Sequence, residues 1–469
     1  MGNLHEECGI FGIYDPEGSC AQTTYYGLVS LQHRGQEGCG IVANNNRELS
    51  QYKDLGLVND VFNQKILDDL NGTMAIGHVR YSTTGGNLRE NVQPLVLRYI
   101  KGTLAIAHNG NLTNTDKLRK ELEINGAIFQ TTADTEVIAY LIARERINSG
   151  SIEEAVKNVT KLLEGAFSLL VMSPNKIVAT RDRWGFRPLS IGRRGEAYVF
   201  ASETCAFDTI DAKFERDIKP GELFVLAKAK NGGSGISTSS NKELCSEKSS
   251  MCIFEHIYFA RPDSFIENES VQETRKRAGR FLAEQSPIEA DIVIGVPDSG
   301  LSAAEGYSQY ANIPNEMGFI KNRYIARTFI KPNQKERDIA VRMKLNVLAS
   351  AVKGKRVVMV DDSIVRGTTC GRIVKLLRDA GAKEVHVKIS SPKFLWPCFF
   401  GTDIPSRGEL IANKYSVKEI GDLIGADTLD FLSLENLAKI APNSTCGFCD
   451  ACFTGNYPIN VDDLLAKTN

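Results

Sequence analysis

The sequence lacks any apolar run of the roughly 20 residues that a membrane-spanning helix needs. It also lacks a basic N-terminal region followed by an apolar segment, which is the pattern of a secretory signal. Its 56 Lys and Arg nearly balance its 57 Asp and Glu, so no general positive field would attract nucleic acid. We therefore expect a cytoplasmic protein that binds neither membrane nor nucleic acid and whose anion sites are local clusters.

The 11 cysteines do not form a disulfide framework, because their number is odd and most of them are widely spaced. Thiols also stay reduced in the cytoplasm. Cys446, Cys449 and Cys452 are crowded together, which indicates a metal site rather than a disulfide. A Cys-x2-Cys pair suits zinc as well as an iron–sulfur cluster. The spacing also leaves open whether Cys446 replaces one of its two neighbours as a ligand.

The pattern of apolar residues changes along the chain. Residues 1–227 contain short apolar runs separated by turns, with helical stretches at 134–148 and 152–163, which predicts an α+β sandwich. Residues 228–250 are polar and rich in Gly and Ser, as expected of an exposed loop or linker at a domain boundary. From about residue 270 helices and strands alternate, which predicts an α/β domain with a parallel sheet.

The strongest local signal is the segment 357–369, VVMVDDSIVRGTT. An apolar strand delivers Asp361 and Asp362 to the carboxyl edge of the predicted parallel sheet, where ligands of such sheets bind. The pair can accept hydrogen bonds from sugar hydroxyls or hold Mg²⁺. A small, hydroxyl-rich loop then leads into a helix whose first amides can bind an anion. The loop residues that can surround a phosphate are Ser363, Arg366, Gly367, Thr368 and Thr369.

This segment resembles the signature of the type I phosphoribosyltransferases, which bind phosphoribosyl pyrophosphate. The resemblance implies that the acidic pair contacts the ribose hydroxyls and that the following loop holds the 5′-phosphate. It also implies a pyrophosphate loop at 297–300 and a mobile basic flap within 321–340 that closes over the substrate. The further substrate-binding residues implied are Asp298, Ser299, Gly300, Arg327 and Lys331, and the implied Mg²⁺ ligands are Ser299, Asp361 and Asp362.

A second group of polar residues lies in the first half of the chain. Cys8 stands at the head of an apolar strand, and alone it would indicate a small core residue. Polar residues interrupt later apolar runs at Arg80, at Asn109 with Gly110, and at Asp134. An arginine can bind an α-carboxylate bidentately and an aspartate can bind an α-ammonium. Asn109 and the Gly110 N–H can form an oxyanion hole, so this set suits a free amino acid.

This set resembles the N-terminal-nucleophile glutamine amidotransferases. The resemblance implies that the Cys8 thiol attacks the glutamine amide and that the α-amine of Cys8 acts as the base. An α-amine has a pKa near about 8, close to that of a free thiol, so the pair is chemically matched. Seven residues precede Cys8, so the resemblance also implies that residues 1–7 are removed as a propeptide. His33, His78 and His108 are then expected to be structural.

Together the two halves resemble the iron–sulfur-containing branch of the amidophosphoribosyltransferase family. The resemblance implies a glutamine amidotransferase domain at 8–235, an αββα N-terminal-nucleophile sandwich. It implies an α/β type I phosphoribosyltransferase domain with a parallel sheet at 255–469, ending in a cluster-binding tail. The implied activity is the glutamine-dependent amination of phosphoribosyl pyrophosphate, the first committed step of de novo purine synthesis and a pentosyltransferase reaction.

The resemblance also supplies cofactors and partners. It implies Mg²⁺, feedback inhibition by AMP, GMP, ADP and GDP, and a homotetramer. It implies one [4Fe–4S] cluster held by Cys252, Cys398, Cys449 and Cys452. Two alternatives are a hexosamine-phosphate synthase, whose first domain is similar, and a non-catalytic purine-sensing regulator. The phosphate loop at 357–369 argues against the first alternative, and the intact set around Cys8 argues against the second.

Overall fold

The structure is a computed structural model. It describes residues 8–45, 48–81, 88–228, 236–246, 248–322, 345–404 and 406–468. The predicted propeptide, residues 1–7, lies outside the described residues, as do Arg327, Lys331 and nearly all of the predicted flap. Across the described ranges, no helix combines the length and apolar character needed to cross a membrane.

The first half consists of short strands with helices between them. Its elements are β1 (Gly9–Tyr14), α1 (Cys20–Ser30), β2 (Gly38–Asn45), β3 (Glu48–Leu55), α2 (Val58–Val61), α3 (Gln64–Asp69), β4 (Met74–Arg80), β5 (Leu95–Tyr99), β6 (Gly102–Leu112), α4 (Thr115–Ile124), α5 (Asp134–Asn148), α6 (Ile152–Thr160), β7 (Gly165–Ser173), β8 (Lys176–Arg181), β9 (Ser190–Arg194), β10 (Ala197–Ala201), α7 (Cys205–Thr209), β11 (Lys213–Asp217), β12 (Leu223–Lys228) and β13 (Ile236–Asn241).

These strands form two antiparallel sheets that pack face to face, in the orders β11-β9-β10-β1-β4-β2-β3 and β13-β12-β8-β7-β6-β5. The central strand β1 is buried on both faces because its side chains alternate. Ile10 and Tyr14 join the core between the sheets, while Phe11 and Ile13 join the core beneath α1. Helices α4, α5 and α6 cover the outer face of the second sheet. The predicted αββα sandwich is therefore confirmed.

Strand β13 lies within the segment 228–250 that the sequence predicts to be a loop or linker. It pairs with β12 along its whole length, from Lys228 opposite Ile236 to Leu223 opposite Asn241. The reason that the sequence conceals this strand is its composition, ISTSSN, which has no alternation of apolar and polar residues. The first sandwich therefore extends beyond residue 235.

The second half alternates helices and strands, with short pieces near the tail. Its elements are β14 (Met251–Cys252), β15 (Phe265–Ile266), β16 (Glu269–Ser270), α8 (Val271–Gln285), β17 (Ile292–Gly295), α9 (Gly300–Ala311), β18 (Phe319–Lys321), β19 (Leu345–Val347), α10 (Ala349–Val352), β20 (Arg356–Asp361), α11 (Thr368–Asp379), β21 (Glu384–Ile389), α12 (Val417–Ile424), β22 (Thr428–Phe431), α13 (Leu434–Leu437), β23 (Phe448–Cys449), α14 (Ala451–Thr454) and α15 (Asp462–Thr468). A π-helical turn spans Glu255–Phe259, and 3-10 turns span Arg89–Asn91, Arg407–Glu409 and Ile411–Asn413.

The main sheet of this half has the order β17-β20-β21-β22, and all three pairings are parallel. Helices α8 and α9 pack on one face, and α11 and α12 pack on the other. The carboxyl ends of β17 and β20 lie side by side, since the Val296 N–H donates to the Val360 carbonyl at 2.9 Å. The loop at 297–300 and the acidic pair therefore meet at one edge of the sheet, as the parallel topology predicts.

Helices α8 and α9 cross in close contact at two glycines. A Cβ atom on Gly279 would lie 1.8 Å from the Ala303 carbonyl oxygen, and one on Gly306 would lie 2.0 Å from the Lys276 carbonyl oxygen. Real Cβ atoms do not approach backbone this closely, so the crossing needs glycine at both positions. Because α9 begins at the edge where the acidic pair lies, this packing also fixes the position of that edge.

We expect Gly279→Ala to lower the free energy of unfolding by about 1–3 kcal/mol, because the added methyl group forces the helices apart. Gly371→Ala in α11 is the matched control, since its Cβ would meet Ile424 at an ordinary 3.5 Å. The control should be neutral or gain up to about 1 kcal/mol from helix propensity. Urea unfolding followed by circular dichroism measures both variants, and equal stabilities would contradict this account of the crossing.

Candidate functional site

The Cys8 thiol lies at the start of β1, beside the end of β4. Its Sγ donates a hydrogen bond to the Tyr81 carbonyl at 3.4 Å. Strands β1 and β4 pair in an antiparallel manner, with Gly9 opposite Val79, so Arg80 lies next to the thiol. Burial lowers the pKa of Arg80, and the negative charge of the Cys8 thiolate partly offsets that effect. The structure therefore brings the predicted nucleophile and the predicted carboxylate-binding arginine together.

Asn109 and Gly110 lie in β6, on the facing sheet. The Asn109 side chain is fully buried, and within the described part of the chain neither its amide oxygen nor its amide nitrogen has a hydrogen-bond partner. Gly110 has a φ of 145°, and a Cβ there would lie 2.1 Å from the Ala166 carbonyl oxygen, so only glycine fits. Buried amide groups with unused hydrogen-bonding capacity can stabilise a developing oxyanion.

Asp134 begins α5 and completes the group. Its carboxylate accepts a hydrogen bond from the Leu112 N–H at 3.1 Å and lies 3.3 Å from His108 Nδ1. Burial opposes ionisation of Asp134, but the attraction of His108 and the hydrogen bonds outweigh it, so the pKa of Asp134 is lowered. A buried, ionised carboxylate is therefore available to an ammonium group.

A histidine joins the two sheets at this end of the sandwich. His78 Nε2 lies 3.1 Å from the His108 carbonyl oxygen, which links β4 to β6 and places Arg80 close to Asn109. Burial, with the charge of Arg80, lowers the pKa of His78 to about 3. His78 is therefore a neutral hydrogen-bonding group and no acid–base catalyst at neutral pH. All five residues predicted to bind and cleave an amino-acid amide lie in this one region.

A second site lies at the carboxyl edge of the parallel sheet, where a cavity of about 390 Å³ opens. The predicted residues that line it are Asp298, Ser299, Asp361, Asp362, Ser363, Gly367 and Thr369. Ser299 Oγ donates to Asp362 Oδ2 at 2.5 Å, and Ser363 donates to the other oxygen of the same carboxylate. Lys321 donates to the exposed carboxylate of Asp298.

The acidic pair is buried and electrostatically strained. Burial and the neighbouring charge of Asp362 raise the pKa of Asp361 well above its usual range. Burial also raises the pKa of Asp362. The hydrogen bonds from Ser299 and Ser363 and the charge of Arg275 act in the opposite direction and lower it. A divalent cation between such carboxylates would relieve both desolvation and repulsion. The donor set of hydroxyl and carboxylate oxygens is also the kind that Mg²⁺ binds.

Three predicted phosphate-site residues lie beside the cavity rather than on its wall. Gly300 is the first residue of α9, and a Cβ there would lie 2.5 Å from the Val360 carbonyl oxygen. Arg366 donates to Glu409 at 2.5 Å, which directs its side chain to the neighbouring loop. Thr368 is exposed in the first turn of α11. Gly367, which precedes that turn, has a φ of 78° and is the N-cap residue of α11.

Arg275 is a cavity residue without a predicted role. It lies in the middle of α8, donates to the His256 and Ala260 carbonyls at 2.8 and 2.7 Å, and is buried. Burial lowers the pKa of Arg275 to about 10, although the negative charge of Asp362 acts to raise it. Its role is not visible in the sequence, because the surrounding residues, QETRKRAGR, have the pattern of a solvated helix face. Tyr258, Arg261 and His33 also line the cavity without having been predicted to do so.

Four cysteines from three distant segments line one cavity. They are Cys252, Cys398, Cys449 and Cys452. Cys252 pairs with Cys449 in the short parallel ladder of β14 and β23. Burial first, and then the charges of the other three thiols, raise the pKa of Cys452 well above its usual range, so the four sulfur atoms are mutual neighbours. The Phe400 N–H donates to the Cys398 sulfur at 3.4 Å.

The remaining wall of this cavity is largely aromatic and aliphatic, with Phe186, Phe254, Phe400 and Tyr457 among its members. Among the described residues, no group of three or more His, Cys, Asp or Glu side chains is placed to hold a metal ion. Cys446 is not part of the cavity: it packs against Met251, Ile266 and Val271 on another cluster. Burial and the charge of Glu267 raise the pKa of Cys446 to about 12.

Comparisons with known proteins agree with this description. The glutamine amidotransferase domain family matches residues 78–209, and the phosphoribosyl transferase domain family matches residues 267–390. The amidophosphoribosyltransferase of Bacillus subtilis (strain 168) is 51% identical over 463 residues, which cover 98% of this chain and 95% of the relative. That of Methanocaldococcus jannaschii is 48% identical and covers 98% of this chain and 100% of the relative.

Solved structures give the same result. The glutamine phosphoribosylpyrophosphate amidotransferase from B. subtilis, complexed with ADP and GMP, superposes with a TM-score of 0.87 at 50% identity, covering 97% of this chain and 98% of that one. A structure described as the allosteric regulatory enzyme of purine biosynthesis superposes with a TM-score of 0.88 at 50% identity, covering 98% of this chain and 99% of that one.

Proposed function

This chain belongs to the amidophosphoribosyltransferase family, and we propose which of its residues carry each step of the family's reaction. The enzyme is a pentosyltransferase of purine synthesis that uses glutamine to aminate phosphoribosyl pyrophosphate. One observation supports the residue assignment more than any other. The chain has two chemically different sites, an amide-binding site around Cys8 and Asn109 and a cavity with a buried acidic pair.

In the glutamine site, the Cys8 thiolate attacks the side-chain amide carbon of glutamine. The tetrahedral oxyanion is held by the Asn109 amide and the Gly110 N–H. Collapse of that intermediate expels ammonia and leaves a thioester, which water then hydrolyses to glutamate and free thiol. Arg80 binds the α-carboxylate and Asp134 binds the α-ammonium. Removal of residues 1–7 supplies the base, because it converts the Cys8 nitrogen from an amide into an amine.

In the phosphoribosyl site, ammonia attacks C1 of the ribose and pyrophosphate leaves. Asp361 and Asp362 accept hydrogen bonds from the ribose hydroxyls. Residues 363–369 surround the 5′-phosphate, and the loop at 297–300 binds the pyrophosphate. Mg²⁺, held by Ser299, Asp361 and Asp362, would neutralise charge on the leaving group. The positive charge of Arg275, which also lines the cavity, opposes the rise in the pKa of Asp362 that burial causes.

The four cavity cysteines fit one [4Fe–4S] cluster. Four thiols on an apolar wall, with an N–H···S hydrogen bond to Cys398, are the environment that such clusters use. A zinc ion with four thiolate ligands is the chemical alternative, because a Cys-x2-Cys pair suits both groups. The structural consequence is that a cluster would tie the tail, through Cys449 and Cys452, to β14 and to the segment at 398.

The chemistry of the phosphoribosyl site also suits purine nucleotides. AMP, GMP, ADP and GDP each carry a ribose 5-phosphate, the part of the substrate that the acidic pair and phosphate loop would bind. The B. subtilis relative was solved with ADP and GMP bound. We propose that these nucleotides inhibit the present enzyme by feedback. We also propose that it is a cytoplasmic homotetramer. Equilibrium binding of GMP, and competition by phosphoribosyl pyrophosphate, tests the shared site.

We expect Cys8→Ala to reduce glutamine-dependent activity by at least about 10³-fold, because the nucleophile is lost. Activity with added ammonium salt should be preserved, since the phosphoribosyl site is intact. Steady-state assays with each nitrogen source measure both, and an intact mass of the active wild-type enzyme should show Cys8 at the terminus. Wild-type activity in enzyme that retains residues 1–7 would contradict the role of the α-amine.

Asp362→Asn should reduce the glutamine- and ammonia-dependent activities together, by about 10²-fold, because both need the phosphoribosyl site. Glutaminase activity without phosphoribosyl pyrophosphate should stay close to that of the wild type. Product assays for phosphoribosylamine and glutamate separate the two. Loss of glutamate formation alone would place Asp362 in the wrong site.

Cys449→Ser should remove the broad visible absorption and the iron content of anaerobically purified enzyme, since the cluster loses a ligand. Cys446→Ser is the matched control and should keep both, because Cys446 lies outside the cavity. Absorption spectra with iron and zinc analysis of both variants provide the measurement. Stoichiometric zinc without iron in the wild type would overturn the cluster assignment.

A further inference from the structure

The Arg34 guanidinium is buried between the two halves of the molecule. Its Nε donates to the carbonyl oxygen of Cys8 at 3.0 Å. Its Nη1 donates to Glu203 at 2.7 Å, and Nη1 and Nη2 both donate to the Glu255 carboxylate at 2.9 Å. The side chains of all three charged residues are completely buried. Arg34 therefore holds the backbone of the nucleophile on one side and two carboxylates on the other.

Glu255 comes from the phosphoribosyltransferase half of the chain, three residues after Cys252. It opens the π-helical turn Glu255–Phe259. Arg187 of the first half also contacts its carboxylate, at 3.3 Å, and donates to the Phe400 carbonyl at 2.7 Å. Two arginines of the glutaminase half are thus fixed by one glutamate of the other half.

The same carboxylates reach the wall of the phosphoribosyl cavity. Glu203 accepts hydrogen bonds from His33 Nε2 and from the Arg261 N–H, at 2.7 and 2.8 Å. Both His33 and Arg261 line that cavity. Tyr258 and Phe259, which end the turn that Glu255 begins, line it as well. A continuous path of hydrogen bonds from His33 through Glu203 and Arg34 therefore joins the phosphoribosyl cavity to the Cys8 backbone.

We propose that Glu255 is a positioning residue for glutamine hydrolysis, acting through Arg34 on Cys8. The inference rests on the proposed role of Cys8 as nucleophile. After removal of residues 1–7, Cys8 is attached to the chain on one side only. The orientation of its thiol and amine then depends on the few contacts that its own atoms make, of which the Arg34 bond to its carbonyl is one. The glutaminase site is therefore completed by a side chain of the other domain.

The bidentate geometry makes this dependence sharp. An arginine held by two parallel N–H···O bonds to a carboxylate has a fixed plane, which one bond alone does not give. Glu255→Gln replaces one acceptor oxygen by an N–H₂ donor that faces the arginine donors. The Arg34 plane must then rotate, and its Nε moves away from the Cys8 carbonyl. A displacement of about 1 Å at a reacting group can reduce a rate about 10²-fold.

The test compares Glu255→Gln with Glu222→Gln. Glu222 is the matched control, because its side chain is also completely buried and accepts two hydrogen bonds from an arginine, Arg216, at 2.8 Å each. Its three partners, Arg216, Lys219 and Ser240, lie in the first half, and the bonds described for them do not reach Cys8. We expect Glu255→Gln to lower kcat with glutamine about 10- to 100-fold, with a smaller change in KM, and to preserve ammonia-dependent activity within about twofold. The control should keep both activities.

The second measurement is the rate of Cys8 alkylation by iodoacetamide, followed by mass spectrometry of the Cys8 peptide. This rate should fall in Glu255→Gln and stay unchanged in Glu222→Gln. If Glu255→Gln folds poorly, Arg34→Lys is the second variant, because it removes the bidentate guanidinium and keeps the positive charge. It should show the same fall in kcat with glutamine and in the alkylation rate.

Three results would overturn the inference. They are an unchanged kcat with glutamine, an equal loss of both activities, and an unchanged alkylation rate. The Cys8→Ala enzyme, assayed in parallel, separates this inference from the proposed function. Glutaminase activity in Cys8→Ala would contradict the proposed function. If Cys8→Ala has no glutaminase activity and Glu255→Gln has normal activity, only the role of Glu255 is contradicted.

Discussion

Two arginines and two glutamates, buried together, hold the halves of this molecule in register. Charges removed from water are stable only when they are paired, and removing one partner of such a pair typically costs about 3–5 kcal/mol. Arg34 and Arg187 come from the glutaminase half, and Glu255 comes from the other half. If the halves separated, these charged side chains would lose their ion-pair partners. The closeness of the phosphoribosyl cavity to the Cys8 site, and the closure of the cysteine cavity beside Phe186, both depend on this arrangement.

Much of the fold could be predicted from the sequence because its signals are local. The strand that ends in Asp361 and Asp362 and the run that begins at Cys8 have their meaning within about a dozen residues. The buried ion pairs, in contrast, join residues that are far apart in the sequence. Arg34 and Glu255 are 221 residues apart, and each alone looks like an ordinary surface charge. The role of Arg275 is hidden for the same reason, since the burial of a helical arginine depends on the residues that pack over it.

The cysteine tail shows where spacing fails and topology decides. The run Cys446-Gly-Phe-Cys449-Asp-Ala-Cys452 contains two overlapping Cys-x2-Cys pairs, so its chemistry permits either register. The parallel pairing of β14 with β23 places Cys449 opposite Cys252 and directs Cys446 into a different apolar cluster. A contact between segments almost 200 residues apart therefore distinguishes thiols that lie three residues from each other.

The polar strand β13 closes one edge of the second sheet of the sandwich. An edge strand presents unpaired backbone groups, and an apolar edge would invite pairing with another chain. Strand β13 begins with its single isoleucine, and serines, a threonine and an asparagine follow. Most of these side chains are exposed. This edge offers little apolar surface to a second sheet. The composition that conceals the strand from sequence analysis is thus also what protects the molecule from aggregation through that edge.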